Sequence, residues 1–507
     1  MRRRDFLRIL TFSGAAASAR LGAQGKSAVG FSVAHDPDRP DYHLLPPHNW
    51  MNDPNGPIFW KGQYHLFYQL NPNAAVWGDM HWGHATSTDM VHWQHEPIAL
   101  APTPGSEDSA GCFSGSAVVF DGHPVILYTG VRRVPSDQAT ILDTANNLRE
   151  CQMLATGTDD SLNQWTKFKR PIIAAPPNHI ASTGFRDPCV WFEDGAWWMI
   201  VGSGMRDIGG CALLYRAKKD SNLTEWEYLH PLASGKKNGK AWPGTAHDVV
   251  DSGEMWECPD FFELGNQHCL LYSTERKVLW QSGTYAGLHF TPQQSGLLDH
   301  GAYYAPKSFM APDGRRILWG WIPETRPEAE FARAGWAGAM SLPRVLHVSE
   351  TGKLQMEPAA EVNSLRQREE AFTLDQHQTH KHLLQALRME LLVTGFTSGQ
   401  QLELNLRQHG ETIWSVAIDG ETGVARCGET SFGVRLDETP SLRLFLDGSV
   451  IESFFGKSEA CTARVYGLKP GKTECELKLH GPGSVHCSQF ALQPISRNKL
   501  TGNFPPR

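Results

Sequence analysis

Five times between residues 57 and 321 the chain repeats one unit: a short apolar strand, a tight turn containing glycine, and a second apolar or aromatic strand. The first copy runs from Pro57 through Lys61-Gly62 to Tyr68, and the others turn at Asp121-Gly122, Asp194-Gly195, Gly265-Asn266 and Asp313-Gly314. Glycine turns between apolar runs are hairpin signals. The turn glycines 62, 122, 195, 265 and 314 lie 60, 73, 70 and 49 residues apart, and each interval has room for about four strands, the content of a propeller blade. A β-sandwich also supplies hairpins, but not five similar ones at so long a period. The expectation is an all-β chain that opens with a five-bladed β-propeller over residues 28–345.

Counting back from each turn glycine reaches Asp53 after nine residues, Ser114, Asp187 and Glu257 after eight, and Lys307 after seven. If the repeats are blades, these side chains share one position and converge on the central axis. Lys307 is read as structural. Beyond Pro343 the texture changes: residues 346–372 read as a linker with a short helix from Glu357 to Phe372, and residues 373–500 as a C-terminal β-sandwich. Its strands are expected at Met389–Leu392, Gln401–Leu406, Thr412–Ile418, Leu442–Leu446, Val450–Phe455, Ala463–Tyr466 and Cys475–Leu479.

Three carboxylates facing one axis repel one another, so one is expected to hold a proton near neutral pH. Glycoside cleavage needs such a split: one acid protonates the leaving oxygen and one carboxylate meets the developing oxocarbenium ion. Glu257, flanked by Trp256, Cys258 and Pro259 and followed by Phe261 and Phe262, has the most apolar neighbours in sequence and is assigned the proton. Asp53, between Asn52 and Asn55, is the better nucleophile, because amide groups can hold its ionised form. Asp187, beside Arg186, is expected to stay ionised by charge pairing and to grip sugar hydroxyls.

Trp50-Met-Asn-Asp-Pro-Asn-Gly56, Phe113-Ser-Gly-Ser116, Phe185-Arg-Asp-Pro188 and Met255-Trp-Glu-Cys-Pro-Asp260 resemble, in order and spacing, the signature of glycoside hydrolase family 32. Invertases, levanases, inulinases and fructan exohydrolases belong to that family. The likeness covers nearly the whole chain after residue 23, with Val76-Trp-Gly78, His81-Trp-Gly-His84, Gly320-Trp321, Gly335-Trp-Ala-Gly338 and Ser341-Leu-Pro-Arg344 in support. It implies a five-bladed propeller followed by a β-sandwich, with Asp53 as nucleophile, Glu257 as acid/base, and Asp187 as transition-state stabiliser together with Arg186. It also implies that Asn52, Gln69, Trp77, Phe113, Ser114 and Trp321 line a fructose subsite. The implied activity is a retaining β-fructofuranosidase or exo-fructanase that takes sucrose or a fructan and water, with no cofactor and no metal. A fructosyltransferase would use the same covalent intermediate and pass it to a sugar. A non-catalytic fructan-binding propeller would have little reason to keep both Asp53 and Glu257. A stretch used for sucrose in plant invertases reads here, by loose match, Ser273-Thr-Glu-Arg-Lys277, so sucrose is not ranked above inulin or levan.

The remaining sequence sets the address and excludes other partners. Arg3-Arg4-Asp5-Phe6-Leu7-Arg8, an uncharged stretch to Ala19 and small residues ending at Ala23 read as a twin-arginine export signal over residues 1–23, which places the chain in the periplasm or outside the cell. The formal charge of -7 becomes -11 once that segment is removed, a poor match for nucleic acid or anionic lipid. No apolar run is long enough to span a membrane. The ten cysteines contain no C-x-x-C pair, and mostly buried thiols are expected.

Overall fold

The structure is a computed structural model, which describes residues 36–139, 147–237, 240–241, 247–251, 253–435 and 441–495. The expected export signal and the expected domain start at residue 28 lie outside the described residues. Residues 49–358 form five antiparallel sheets, each with four principal strands. Their first strands are Asn49–Trp60, Gly111–Phe120, Ser182–Glu193, Glu257–Leu264 and Tyr304–Met310. Each touches the next and the fifth touches the first, so they ring one axis. The first domain is a five-bladed propeller.

Each repeated glycine turn joins the first and second strands of a blade. At Lys61-Gly62, Asp121-Gly122 and Asp194-Gly195 both turn residues have positive φ, the geometry that matches the twist of paired strands and favours glycine at the second place. The second strands are apolar on both faces because neighbouring blades stack on each side. Leu66 to Tyr68, Ile126 to Tyr128, Met199 to Val201, Leu270 to Tyr272 and Ile317 to Trp319 are all buried. The ring is fastened by one short stretch: Trp336–Ala337 pairs with Asn49 and Trp50 of blade one, and Ala339–Met340 pairs with Trp321 and Ile322 of blade five.

The boundary between domains differs from the expected one. Leu354–Pro358 pairs with Arg344–Val348 as the outer strand of blade five, so the propeller runs to residue 358. Of the expected helix over 357–372, only Ala360–Leu365 winds, as a 3-10 turn that buries Val362 and Leu365. Arg366–Asp375 is already a strand of the second domain, paired with Ser484–Leu492. Its charged residues suit a strand at a sheet edge.

The second domain is a sandwich of two six-stranded sheets. Among the described residues it holds twelve strands where seven were expected. The additional ones, Arg366–Asp375, Thr379–Leu383, Val424–Cys427, Thr430–Gly433 and Ser484–Leu492, are largely polar or short. The expected strand at Ala463–Tyr466 instead ends at Arg464. Leu391, Leu404, Leu444 and Leu477 meet in the core between the sheets.

Buried charges join the two domains. Arg344 donates to Asp299 at 2.9 Å, Glu452 at 2.7 Å and Thr462 Oγ1 at 2.9 Å, while His43 lies between Asp447 and Glu452 at 2.8 and 3.0 Å. The sandwich strand Glu459–Arg464 also accepts backbone hydrogen bonds from His300 and Ala302. It thereby supports the segment that leads into the inner strand of blade five.

Candidate active site

Each inner strand is irregular near one end of the axis. The ladder slips between Met51 and Pro54, Phe113 and Gly115, Arg186 and Cys189, Glu257 and Asp260, and Tyr304 and Lys307. A bulge of this kind frees residues from pairing and re-aims their side chains. It also accepts proline, which cannot donate to the ladder, and four of the five bulges carry one: Pro54, Pro188, Pro259 and Pro306. Blade two carries Gly115 instead, where an added Cβ would strike Leu127 O at 2.0 Å.

These bulges correct the single shared position expected from counting. Asp187, Cys258 and Ala305 each precede a bulge proline and have φ of 65°, 48° and 49°, a left-handed conformation costly for residues other than glycine. With Asp53 and Ser114 they form one tier. Asn52, Phe113, Arg186, Glu257 and Tyr304 form a second tier, one residue earlier in each strand. Glu257 is therefore equivalent to Arg186, not to Asp187. The count went astray because Gly265 is the first residue of its turn whereas Gly62, Gly122 and Gly195 are second in theirs.

A cavity of about 470 Å³ opens over these tiers. Asn52, Asp53, Gln69, Trp77, Phe113, Ser114, Arg186, Asp187, Glu257 and Trp321 all line it. Lys307 does not, and lies further along the axis. Asp53 accepts from Ser114 Oγ at 2.6 Å, Asn52 Nδ2 at 3.1 Å and Cys258 Sγ at 3.3 Å. Trp50 Nε1 fixes Asn52 in turn, at 2.8 Å. Asp187, 3% exposed, accepts from Cys258 N–H at 2.9 Å. Trp77 meets Phe113 edge to face, Gln69 is held on Cys112 O at 3.0 Å, and the buried Trp321 Nε1 has no acceptor among the described residues.

The electrostatics differ from expectation at Glu257 and Asp187. Glu257 accepts from Arg186 Nη2 at 2.7 Å and from Tyr304 Oη at 2.6 Å, and 29% of its side chain is exposed. Its surroundings are polar: Trp256 and Phe261 turn into one hydrophobic core and Phe262 into another. Arg186, expected to pair with Asp187, bonds instead to Glu257 and, at 3.1 Å, to Glu150. Burial raises the Asp187 carboxyl to about 7; the Arg186 charge opposes this, and the Asp53 and Glu257 charges add to it. Burial raises Asp53 as well, against the lowering effect of its bonds to Ser114 and Asn52. The expectation overturned is that pairing with Arg186 keeps Asp187 ionised: burial outweighs the Arg186 charge.

Tyr304, Glu150, Trp50 and Cys258 are parts of the site that motif spacing did not single out. For Tyr304 a signal existed: Tyr304-Ala305-Pro306 repeats the proline offset of Arg186-Asp187-Pro188 and Glu257-Cys258-Pro259.

Residues 43–358 match the model of the glycosyl hydrolases family 32 N-terminal domain. The chain is 38% identical to the sucrose-6-phosphate hydrolase of Escherichia coli over 487 residues, covering 88% of this chain and 92% of that protein. It is 37% identical to the raffinose invertase of Escherichia coli, covering 84% and 89%. Among solved structures, the Bombyx mori β-fructofuranosidase superposes with a TM-score of 0.74 at 29% identity, over 90% of this chain and 95% of that one. The Cichorium intybus fructan 1-exohydrolase IIa bound to 1-kestose gives the same TM-score and identity, over 90% and 98%.

Proposed function

The chain belongs to glycoside hydrolase family 32 as a retaining hydrolase of the β-fructofuranosidase type, releasing fructose from sucrose or fructans, and we propose that Asp53 is its nucleophile, Glu257 its acid/base and Asp187 its transition-state stabiliser. The two-tier arrangement of the carboxylates carries this reading. Asp53 stands in the deeper tier, where three donors fix its carboxyl and oppose the effect of burial on its ionised form. Glu257 stands in the outer tier, where it can reach first the leaving oxygen and then water. Asp53 attacks the anomeric carbon as Glu257 gives its proton to the departing oxygen, and a fructosyl ester forms on Asp53. Glu257 then takes a proton from water, which displaces Asp53 and frees β-fructose. Two inversions give retention.

Asp187 offers the carboxylate oxygen not bonded to Cys258 N–H to ring hydroxyls. Trp77 and Phe113 give apolar faces on which a furanose can rest. A cavity ringed by all five blades favours attack on a terminal fructosyl unit. Time courses with sucrose, sucrose 6-phosphate, raffinose, inulin and levan test the reading: fructose is the first product, NMR shows the β-anomer first, and Asp53→Ala or Glu257→Gln abolishes release. Transfer to sugar in place of free fructose would assign the chain to the fructosyltransferases, and initial release of α-fructose would refute the nucleophile.

We propose also that the chain leaves the cytoplasm by the twin-arginine route, supported by the Arg3-Arg4 pair and the uncharged stretch after it. Replacing both arginines with lysine should leave the activity in the cytoplasmic fraction. An unchanged distribution would refute it.

A further inference from the structure

A second cavity, of about 170 Å³, lies on the same axis, further along the inner strands than the carboxylate tiers. Two cations line it, Lys307 and Arg316, against one carboxylate, Asp260. Asp260 is already engaged: Oδ2 accepts from Ser308 N–H at 2.9 Å and Ser308 Oγ at 2.6 Å, and Oδ1 from the Cys189 thiol at 3.5 Å. The donors are left in excess. Lys307, 1% exposed, donates one N–H to Pro259 O at 2.6 Å and makes no other hydrogen bond among the described residues. Arg316 lies over the Phe262 ring at 4.2 Å with its buried Nε unpaired, and Ser116, 8% exposed, has its Oγ unpaired as well.

Buried donors without acceptors and a surplus of buried positive charge are both costly, and one anion relieves both. We propose that this cavity is a binding site for a small inorganic anion, held by Lys307, Arg316 and Ser116. Water satisfies the hydrogen bonds but leaves the surplus charge, so an anion is the better fit.

The test uses the intact chain. Melting temperature is followed as sulfate replaces a bulky organic sulfonate at constant ionic strength, and crystals are soaked in bromide. A saturable rise is expected in the wild type, weaker in apparent affinity by up to about tenfold in Ser116→Ala, which loses one hydrogen bond, and absent in Lys307→Met. Bromide is expected to give an anomalous peak between Lys307 and Arg316. Ser116→Ala removes only a hydroxyl, so the test stands even if Lys307→Met fails to fold. A sulfate response identical in wild type and Ser116→Ala, or dependent on ionic strength alone, with no bromide peak on the axis, would overturn the proposal and leave the cavity to water.

Discussion

Arg186 donates to Glu257 Oε1 from one amino group and to Glu150 Oε1 from the other, so a single guanidinium links blades two, three and four at the mouth of the site. Glu150 is itself fixed by Phe185 N–H at 2.6 Å. The planar fork sets where the Glu257 carboxyl can point, which a point-charge ammonium cannot reproduce. Arg186→Met is expected to lower kcat by about 10- to 100-fold, the range for a lost charge-assisted hydrogen bond. It should also move the acid limb of the kcat profile to higher pH, because the charge that opposes the upward shift of Asp187 is gone. A profile superimposable on the wild type would refute the electrostatic part.

Tyr304 holds the second oxygen of Glu257 at 2.6 Å and packs edge to face with Trp321 at 6.4 Å. Tyr304→Phe keeps the ring and removes the hydroxyl. We expect kcat/KM to fall about tenfold or more on sucrose while Tm stays near that of the wild type. Unchanged kinetics would show that Arg186 alone orients the acid.

The five blades were legible in the sequence because a hairpin is a local event, marked by its own turn residues and apolar flanks. Asp53 and Asp187 were legible for the same reason, each lying at a fixed distance from its turn. The tier of Glu257 was not, since the order within the Gly265-Asn266 turn and the bulges each move the count by one residue, and a bulge is defined by the partner strand. The surroundings of Glu257 were misjudged in the same way. Its sequence neighbours Trp256 and Phe261 alternate away from it, and the groups that touch it, Arg186 and Tyr304, come from 71 and 47 residues away. The strands missed in the sandwich lie where polar or short segments pair through their backbones, which leaves little trace in side-chain pattern.

The enclosure of Asp187 carries a cost in stability. Its folded pKa of about 7 lies above the ordinary value of 3.8, so between those values the folded chain binds more protons than the unfolded one, and stability falls as pH rises across that window. Asp187→Asn retains the shape and the contact with Cys258 N–H but carries no charge. At pH 8 it should be more stable than the wild type, by on the order of a few kcal/mol, and inactive. Urea titrations at pH 4 and pH 8 measure this: the difference between the two proteins should shrink at the lower pH, and an equal difference at both would refute it.

His43 gives the opposite dependence at the domain junction. Burial alone would lower its pKa, but hydrogen bonds to Asp447 and Glu452 outweigh burial and raise it to about 9 from 6.5. A group raised in this way contributes stability that is fully present below about pH 6.5 and is lost as pH climbs through about 9. The contribution is about 3 kcal/mol by linkage. His43→Gln keeps a polar side chain between the two carboxylates but cannot hold the charge, so it should be less stable than the wild type at pH 6.5 and approach it at pH 9.5. Because Glu452 also accepts from Arg344 and from Leu342 N–H, the lost stability should appear as loosening of the propeller from the sandwich. Hydrogen exchange at pH 9.5 is therefore expected to rise first in Arg344–Val348 and Val450–Phe455, and uniform exchange across both domains would place the effect elsewhere.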